Sequence, residues 1–148
     1  MIINKKEIQE KISRHGLKVT HQRMVIYAAV AEMKHHPTAD HIYEAIHDEN
    51  PSISLGTVYK TLDSFVDKGI LKKVFTQNGQ MRYDARTENH GHIYCTNTDD
   101  IIDYFDEELN EIIIRFFRKK RVNNLMIKNI TLQINANRID PDKDISIK

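Results

Sequence analysis

The stretch "ENHGHIYC", Glu88–Cys95, places His90 and His92 two apart and the chain's one cysteine three residues later. In a strand, positions 90 and 92 point to one face, because side chains alternate with period two. Two imidazoles on one face can chelate a single ion. Cys95 has the opposite parity, so a catalytic Cys95/His92 pair is disfavoured. Other candidate ligands lie far off in sequence: His36 just before a "PTAD" turn, Asp84 at the end of "MRYD" and Asp103 in "IIDYF". Three imidazoles and two carboxylates, with no sulfur, suit Fe(II), Mn(II), Co(II) or Zn(II) rather than a thiolate-bound structural zinc. A non-haem oxygenase uses similar donors but keeps a face open for substrate. Five protein donors leave little room for one, and no glycine-rich phosphate loop is present. A binding protein is therefore favoured over an enzyme.

The elements that must position these residues follow from periodicity. Ile8 and Ile12 pair at helical spacing over 5–14, and Gly16 ends that pattern. Thr20, Thr38 and Ser54 each precede an apolar-periodic run and read as helix N-caps. Their runs are Ile26, Ala29, Val30 and Met33; then Ala39, Ile42 and Ile46; then Val58, Leu62, Phe65 and Val66. Gly69 reads as a helix stop. "ILKKVFT" and "QMRYD" flank Asn78-Gly79, a hairpin signal. Compact helices followed by a hairpin predict a winged helix-turn-helix whose fourth helix reads DNA. On that helix Thr57, Tyr59, Lys60 and Ser64 face outward. A Tyr edge can pack on a thymine methyl and a Lys can reach a phosphate or guanine. Lys18 and Arg23, flanking the second helix start, could add backbone or minor-groove contacts.

After Asp84 the pattern changes. "HIYC" and "IIDYF" read as strands around the turn "TNTDD", residues 106–120 as a helix with Leu109, Ile112, Ile113 and Phe116 on one face, and "NITLQIN" as a last strand. The expected fold class is α+β: an N-terminal winged helix-turn-helix domain over 1–84, a hinge over 85–88, a small C-terminal α/β dimerisation and metal-binding domain over 89–136, and a polar tail over 137–148. A sheet of about three strands with one helix is marginal alone, which argues for a homodimer.

Bulk properties agree. The chain has 148 residues, 40% hydrophobic, with net charge +1. Residues 1–86 carry a net +3 and residues 87–148 a net −2, so the front half is the better nucleic-acid surface. No apolar run is long enough for a membrane span or a secretory signal. One cysteine permits no internal disulfide. A cytoplasmic protein without a membrane partner is expected.

At this point a family resemblance emerges. "GLKVTHQR", "HHPTADHIYEAI", "SLGTVYKTLDSFVDKGIL", "RYD", "HGHIYC" and "IIDYF" resemble, in order and register from Gly16 to Phe105, the ferric uptake regulator (Fur) family of metal-dependent repressors. The resemblance implies a homodimer whose winged helices bind an AT-rich palindromic operator in double-stranded DNA. It puts Tyr59 and Lys60 in the major groove and Lys18 near the minor groove. It also implies that His36, Asp84, His90, His92 and Asp103 form one regulatory site per subunit. Aspartate at both 84 and 103 resembles the peroxide-sensing PerR branch. There, Fe(II) in the site leads to oxidation of ligand histidines, at positions matching His36 and His90, and the repressor leaves DNA. Mn(II) would fill the site without that reactivity, and Zn(II) could fill it in vitro. The alternative is an iron- or manganese-responsive repressor that ignores peroxide. Two departures stand out. The four-cysteine structural zinc site of many members is not expected, because Cys95-Thr96-Asn97-Thr98 keeps one cysteine of four. The positions matching a second metal site, Asn89, Gly91, Asn110 and Asn129, are poor ligands.

Overall fold

The computed structural model describes residues 3–120 and 122–146, and the chain divides into two compact units at Thr87/Glu88. In the first unit the helices are α1 (Lys5–Arg14), α2 (His21–Glu32), α3 (Ala39–His47) and α4 (Leu55–Asp67). Each starts at a residue whose side chain accepts a backbone N–H of the first turn. Asn4 caps α1, Thr20 α2, Thr38 α3 and Ser54 α4. Thr38 and His41 form a reciprocal capping box. Gly69 takes a φ of 74° after α4, where Gly69 and Ile70 donate back to Val66 and Phe65. That left-handed turn points the chain into the hairpin.

The hairpin pairs β1 (Lys72–Phe75) with β2 (Met81–Asp84) antiparallel, Phe75 opposite Met81. Its loop is therefore the five residues 76–80, longer than a two-residue Asn-Gly turn. Thr76 Oγ donates to the Gln80 carbonyl at 2.9 Å, and Gln80 N–H donates to Asn78 Oδ1 at 3.2 Å. These side-chain bonds close the loop before the ladder reaches Asn78. Phe65, Ile12, Ile26, Ile42 and Leu62 are buried at the centre of the unit, and Phe65 meets Tyr27 edge-on at 6.0 Å. The inward face of α4 is Val58, Thr61, Leu62 and Phe65. Thr61 takes a core position that an apolar count assigns to Val66, which is only half-buried. Three packed helices and a hairpin, preceded by α1, make a winged helix-turn-helix.

The second unit holds β3 (Gly91–Cys95), β4 (Ile101–Tyr104), α5 (Glu107–Lys119) and β5 (Gln133–Ala136). The sheet order is β4-β3-β5, with β3 antiparallel to β4 and parallel to β5. The last strand starts later than "NITLQIN" suggests. Its first partner pair is His92↔Gln133, and β3 itself begins at Gly91, so residues 129–131 have no strand to pair with. Asn137 and Arg138, just past Ala136, are tied down. Asn97, in the β3–β4 turn, donates to the Arg138 carbonyl and accepts from the Arg138 N–H, both at 2.9 Å. The amide side chain thus imitates one more rung of the ladder. Asn97→Ala should cost about 1 kcal/mol and speed hydrogen exchange at the Arg138 amide. Unchanged exchange there would show that the rung carries no stability.

Asp106 caps α5, whose first turn is acidic and last turn basic, both favourable to the helix dipole. Yet α5 buries none of its residues, and Ile112 and Phe116 are each more than half exposed. Among the described residues no helix is long and apolar enough to cross a membrane.

Candidate metal centre and nucleic-acid interface

The ligand candidates of the second unit are brought together by strand register. In the antiparallel β3–β4 pair, His92 stands directly opposite Asp103. Directly opposed side chains lie on one face. His90, two residues before His92, shares that face, and its ring lies 4.6 Å from the His92 ring. One oxygen, Asp103 Oδ1, is 3.1 Å from His90 Nε2 and 3.6 Å from His92 Nε2. The ring of His90 is oriented from its other side, where Nδ1 lies 2.7 Å from the Glu88 carbonyl. A carbonyl only accepts, so Nδ1 carries the proton there, and Nε2 is the ring atom turned toward Asp103. A hydrogen bond to the other ring nitrogen is the usual way in which a protein orients a ligating histidine. Sequence reasoning missed the Glu88 carbonyl, since a backbone acceptor leaves no signal in residue type.

Gly91, between the two histidines, is there for space. A Cβ on it would sit 2.8 Å from the Leu132 carbonyl oxygen and 3.3 Å from the Tyr104 carbonyl oxygen. The central strand is held so closely between β4 and the segment entering β5 that only glycine fits. On the opposite face of β3, Ile93 and Cys95 line a recess with Ala136 and Arg138. The cysteine is thiol-bearing and buried. Its parity separates it from the histidines, as the alternation requires.

In the first unit, His36 and Asp84 form a second pair, Nε2 to Oδ2 at 3.3 Å, both side chains under a tenth exposed. His36 lies in the α2–α3 loop with a φ of 55°, a left-handed conformation rare for a residue with a Cβ. Asp84 ends β2, and its Oδ1 accepts the Arg86 N–H at 2.8 Å. The His90–Asp103 and His36–Asp84 separations match what an ion needs, and His92–Asp103 at 3.6 Å is slightly wider. Two ligand atoms each about 2.1 Å from one ion, at a right or tetrahedral angle, stand roughly 3.0–3.4 Å apart. The nitrogen and oxygen donors in each unit therefore fit a divalent transition metal.

The outward face of α4 carries Tyr59 and Lys60, both exposed. Thr57 is half-buried, and its hydroxyl lies 3.0 Å from that of the cap residue Ser54. Lys18 is exposed. Arg23 donates from Nη1 to the Lys18 carbonyl at 2.7 Å, bracing the segment that enters α2. Tyr59 has a partner that the sequence did not announce: its hydroxyl donates to Asp40 Oδ2, near the start of α3, at 3.2 Å. Desolvation, then the Asp40 charge and hydrogen bond, push the Tyr59 phenol above its ordinary 10.0. Burial, followed by the charges of Asp63 and Tyr59, does the same to Tyr83. Folding thus favours the neutral phenol at both. The stabilisation is complete below about pH 10 and is lost as pH rises through the folded values. Tyrosinate absorbance should show Asp40→Asn lowering the Tyr59 titration part of the way, since desolvation remains, and Tyr59→Phe removing it. If the Asp40→Asn curve overlays wild type, Asp40 has no hold on the ring.

Comparison with known proteins bears on both regions. The profile of the ferric uptake regulator family matches residues 14–135. The chain is 38% identical over 109 residues to the peroxide-responsive repressor PerR of Staphylococcus aureus, covering 72% of this chain and 74% of that one. It is similar to the crystal structure of the Campylobacter jejuni peroxide stress regulator, with a TM-score of 0.69 and 28% identity over 91% of this chain and 98% of that one. The Helicobacter pylori ferric uptake regulator Fur shares the fold at 19% identity, with a TM-score of 0.79 and 98% of each chain covered.

Proposed function

Because the chain belongs to the ferric uptake regulator family, we propose that it is a metal-dependent DNA-binding repressor that releases its operator when hydrogen peroxide oxidises ligand histidines. Members of the family are metal-responsive transcriptional regulators, not enzymes, so the histidines are ligands rather than catalysts. The reading takes one divalent ion per subunit, held by His36 and Asp84 of the first unit together with His90, His92 and Asp103 of the second. The observation that carries it is the single Asp103 oxygen facing two imidazoles, one of them oriented by a backbone carbonyl on its other nitrogen. Nitrogen and oxygen donors without sulfur favour Fe(II) or Mn(II), with Zn(II) able to bind in vitro.

Each residue has a task. His90 and His92 turn Nε2 toward the Asp103 carboxylate, and His36 turns Nε2 toward Asp84. When bound, Fe(II) supplies one-electron reduction of hydrogen peroxide, which Mn(II) does not. His36 and His90, both buried, are the proposed oxidation targets, because an oxidant formed there meets imidazole before water. An oxidised ring is a poorer donor, and metal affinity falls. Ligands drawn from both units make the ion an effector that favours the arrangement able to hold it, and linkage requires operator DNA to tighten metal binding equally.

DNA contact is assigned to the winged helix over 1–84, with Tyr59, Lys60 and Thr57 reading an AT-rich palindrome and Lys18 and Arg23 supporting from the backbone. Residues 85–88 serve as hinge and 89–136 as the dimerisation module. A homodimer is supported by the apolar residues α5 leaves exposed. Such a regulator works in the cytoplasm. The relatives named as a peroxide-responsive repressor and a peroxide stress regulator support the sensing step.

The test is binding to an AT-rich palindromic duplex with Fe(II) and with Mn(II), each before and after peroxide. Binding should require metal, and peroxide should abolish it with iron only, with one oxygen added to the His36 or His90 peptide by mass spectrometry. Retention with iron would leave an iron- or manganese-responsive repressor. Binding indifferent to metal would sink both.

A further inference from the structure

Arg82 is the one charged residue of β2 besides Asp84, and it is buried to 4% exposure. A buried guanidinium is costly unless hydrogen-bonded. Its Nη1 donates to two consecutive carbonyls, His35 at 3.2 Å and His36 at 3.4 Å, 47 and 46 residues away in sequence. Next along the strand, the Tyr83 N–H donates to the Pro37 carbonyl at 3.0 Å. After that comes Asp84, 3.3 Å from His36. Successive residues of β2 thus grip successive residues of the α2–α3 loop.

That loop needs gripping. His36 has a φ of 55°, and the residue after it is Pro37. A side chain with a Cβ is disfavoured there, and a residue before proline is ordinarily held in extended conformations. Left to itself, the loop would turn His36 elsewhere. Consecutive carbonyls of an extended chain point to opposite sides. Here both reach one nitrogen, which a left-handed bend at His36 allows. Arginine suits the task, because its guanidinium stays charged and presents donors in a rigid plane.

We infer that Arg82 is a positioning residue that holds His36 in this left-handed conformation, so that the His36–Asp84 half of the metal site is formed before metal arrives. The inference rests on the assignment of His36 as a ligand. Arg82 then sets metal affinity without touching the ion, by removing the ordering cost from the binding step. Its effect must pass through His36 alone, which separates it from a general role in stability.

The test uses the full-length protein with Arg82→Met, Arg82→Lys, His36→Ala and the double variant Arg82→Met/His36→Ala. Mn(II) affinity is measured by calorimetry, and amide exchange at Tyr83 is measured in the metal-free protein. Arg82→Met should weaken Mn(II) binding about 10- to 100-fold, the range for residues that orient a ligand. It should also speed Tyr83 exchange without metal. In the His36→Ala background it should change Mn(II) affinity less than about twofold. Arg82→Lys, which keeps the charge and one donor group, should fall between wild type and Met, and carries the comparison if the Met variant does not fold. Loss of affinity that simply adds to that of His36→Ala would overturn the inference, as would wild-type affinity in both Arg82 variants. Wild-type affinity in His36→Ala would instead remove the ligand assignment beneath it.

Discussion

Asp103→Ala is expected to weaken Mn(II) binding by at least about 100-fold, beyond the usual cost of removing a residue that only orients a ligand. Metal-dependent DNA binding should go with it. The reason is geometric. A single carboxylate oxygen stands 3.1 Å from His90 Nε2 and 3.6 Å from His92 Nε2. Its removal deletes one donor and the negative charge that draws a cation between the imidazoles. The fold should hardly notice. The side chain is about a third exposed, and substitutions at such positions cost about 0.5 kcal/mol. Asp103→Asn separates charge from shape, since it keeps an oxygen acceptor at the same reach. It should fall between wild type and alanine. Calorimetric titration on all three, beside their melting curves, decides the matter. Wild-type Mn(II) affinity in Asp103→Ala would remove Asp103 from the site.

Gly91→Val should damage the fold itself. Even one added carbon sits 2.8 Å from the Leu132 carbonyl oxygen, closer than real Cβ contacts come, and the obstacle is backbone rather than a movable side chain. The Tyr104 carbonyl closes the other side at 3.3 Å. The central strand must then part from β4 or from β5. Overpacking of this kind costs about 1–3 kcal/mol, and the two methyls of valine place it at the upper end. The loss should appear as early melting of the second unit, with the helical signal of the first persisting. Since Gly91 separates His90 from His92, Mn(II) binding should fall in the same variant, and Gly91→Ala should show the milder form of both. If Gly91→Val melts with wild type, the close approach of residues 132 and 91 is wrong.

The two substitutions mark what can be read from a one-dimensional chain. Asp103 was visible as a candidate ligand because its residue type and strand parity carry the chemistry. Gly91 was visible only as a poor ligand between two good ones, and nothing local tells that a neighbouring backbone passes within contact distance. The helix starts at Thr20, Thr38 and Ser54 were legible for the same reason as Asp103. A cap bonds within three residues of itself, and an apolar face repeats within a turn or two. The shift of β5 to Gln133 and the five-residue wing loop were not legible. Strand pairing depends on where the partner begins, and loop closure depends on which side chains reach across.

The sequence by itself determined the α+β class, the four helices with three of their caps, the hairpin and the donor types of a candidate metal site free of sulfur, all of which rest on local periodicity and residue chemistry. Only the tertiary structure decided that one Asp103 oxygen faces both His90 and His92, that the Glu88 carbonyl orients the His90 ring, and that Asp40 holds Tyr59. It alone showed Arg82 bonded to the loop of His36. These contacts join backbone and side-chain groups brought close by folding, and no spacing along the chain encodes a distance across it.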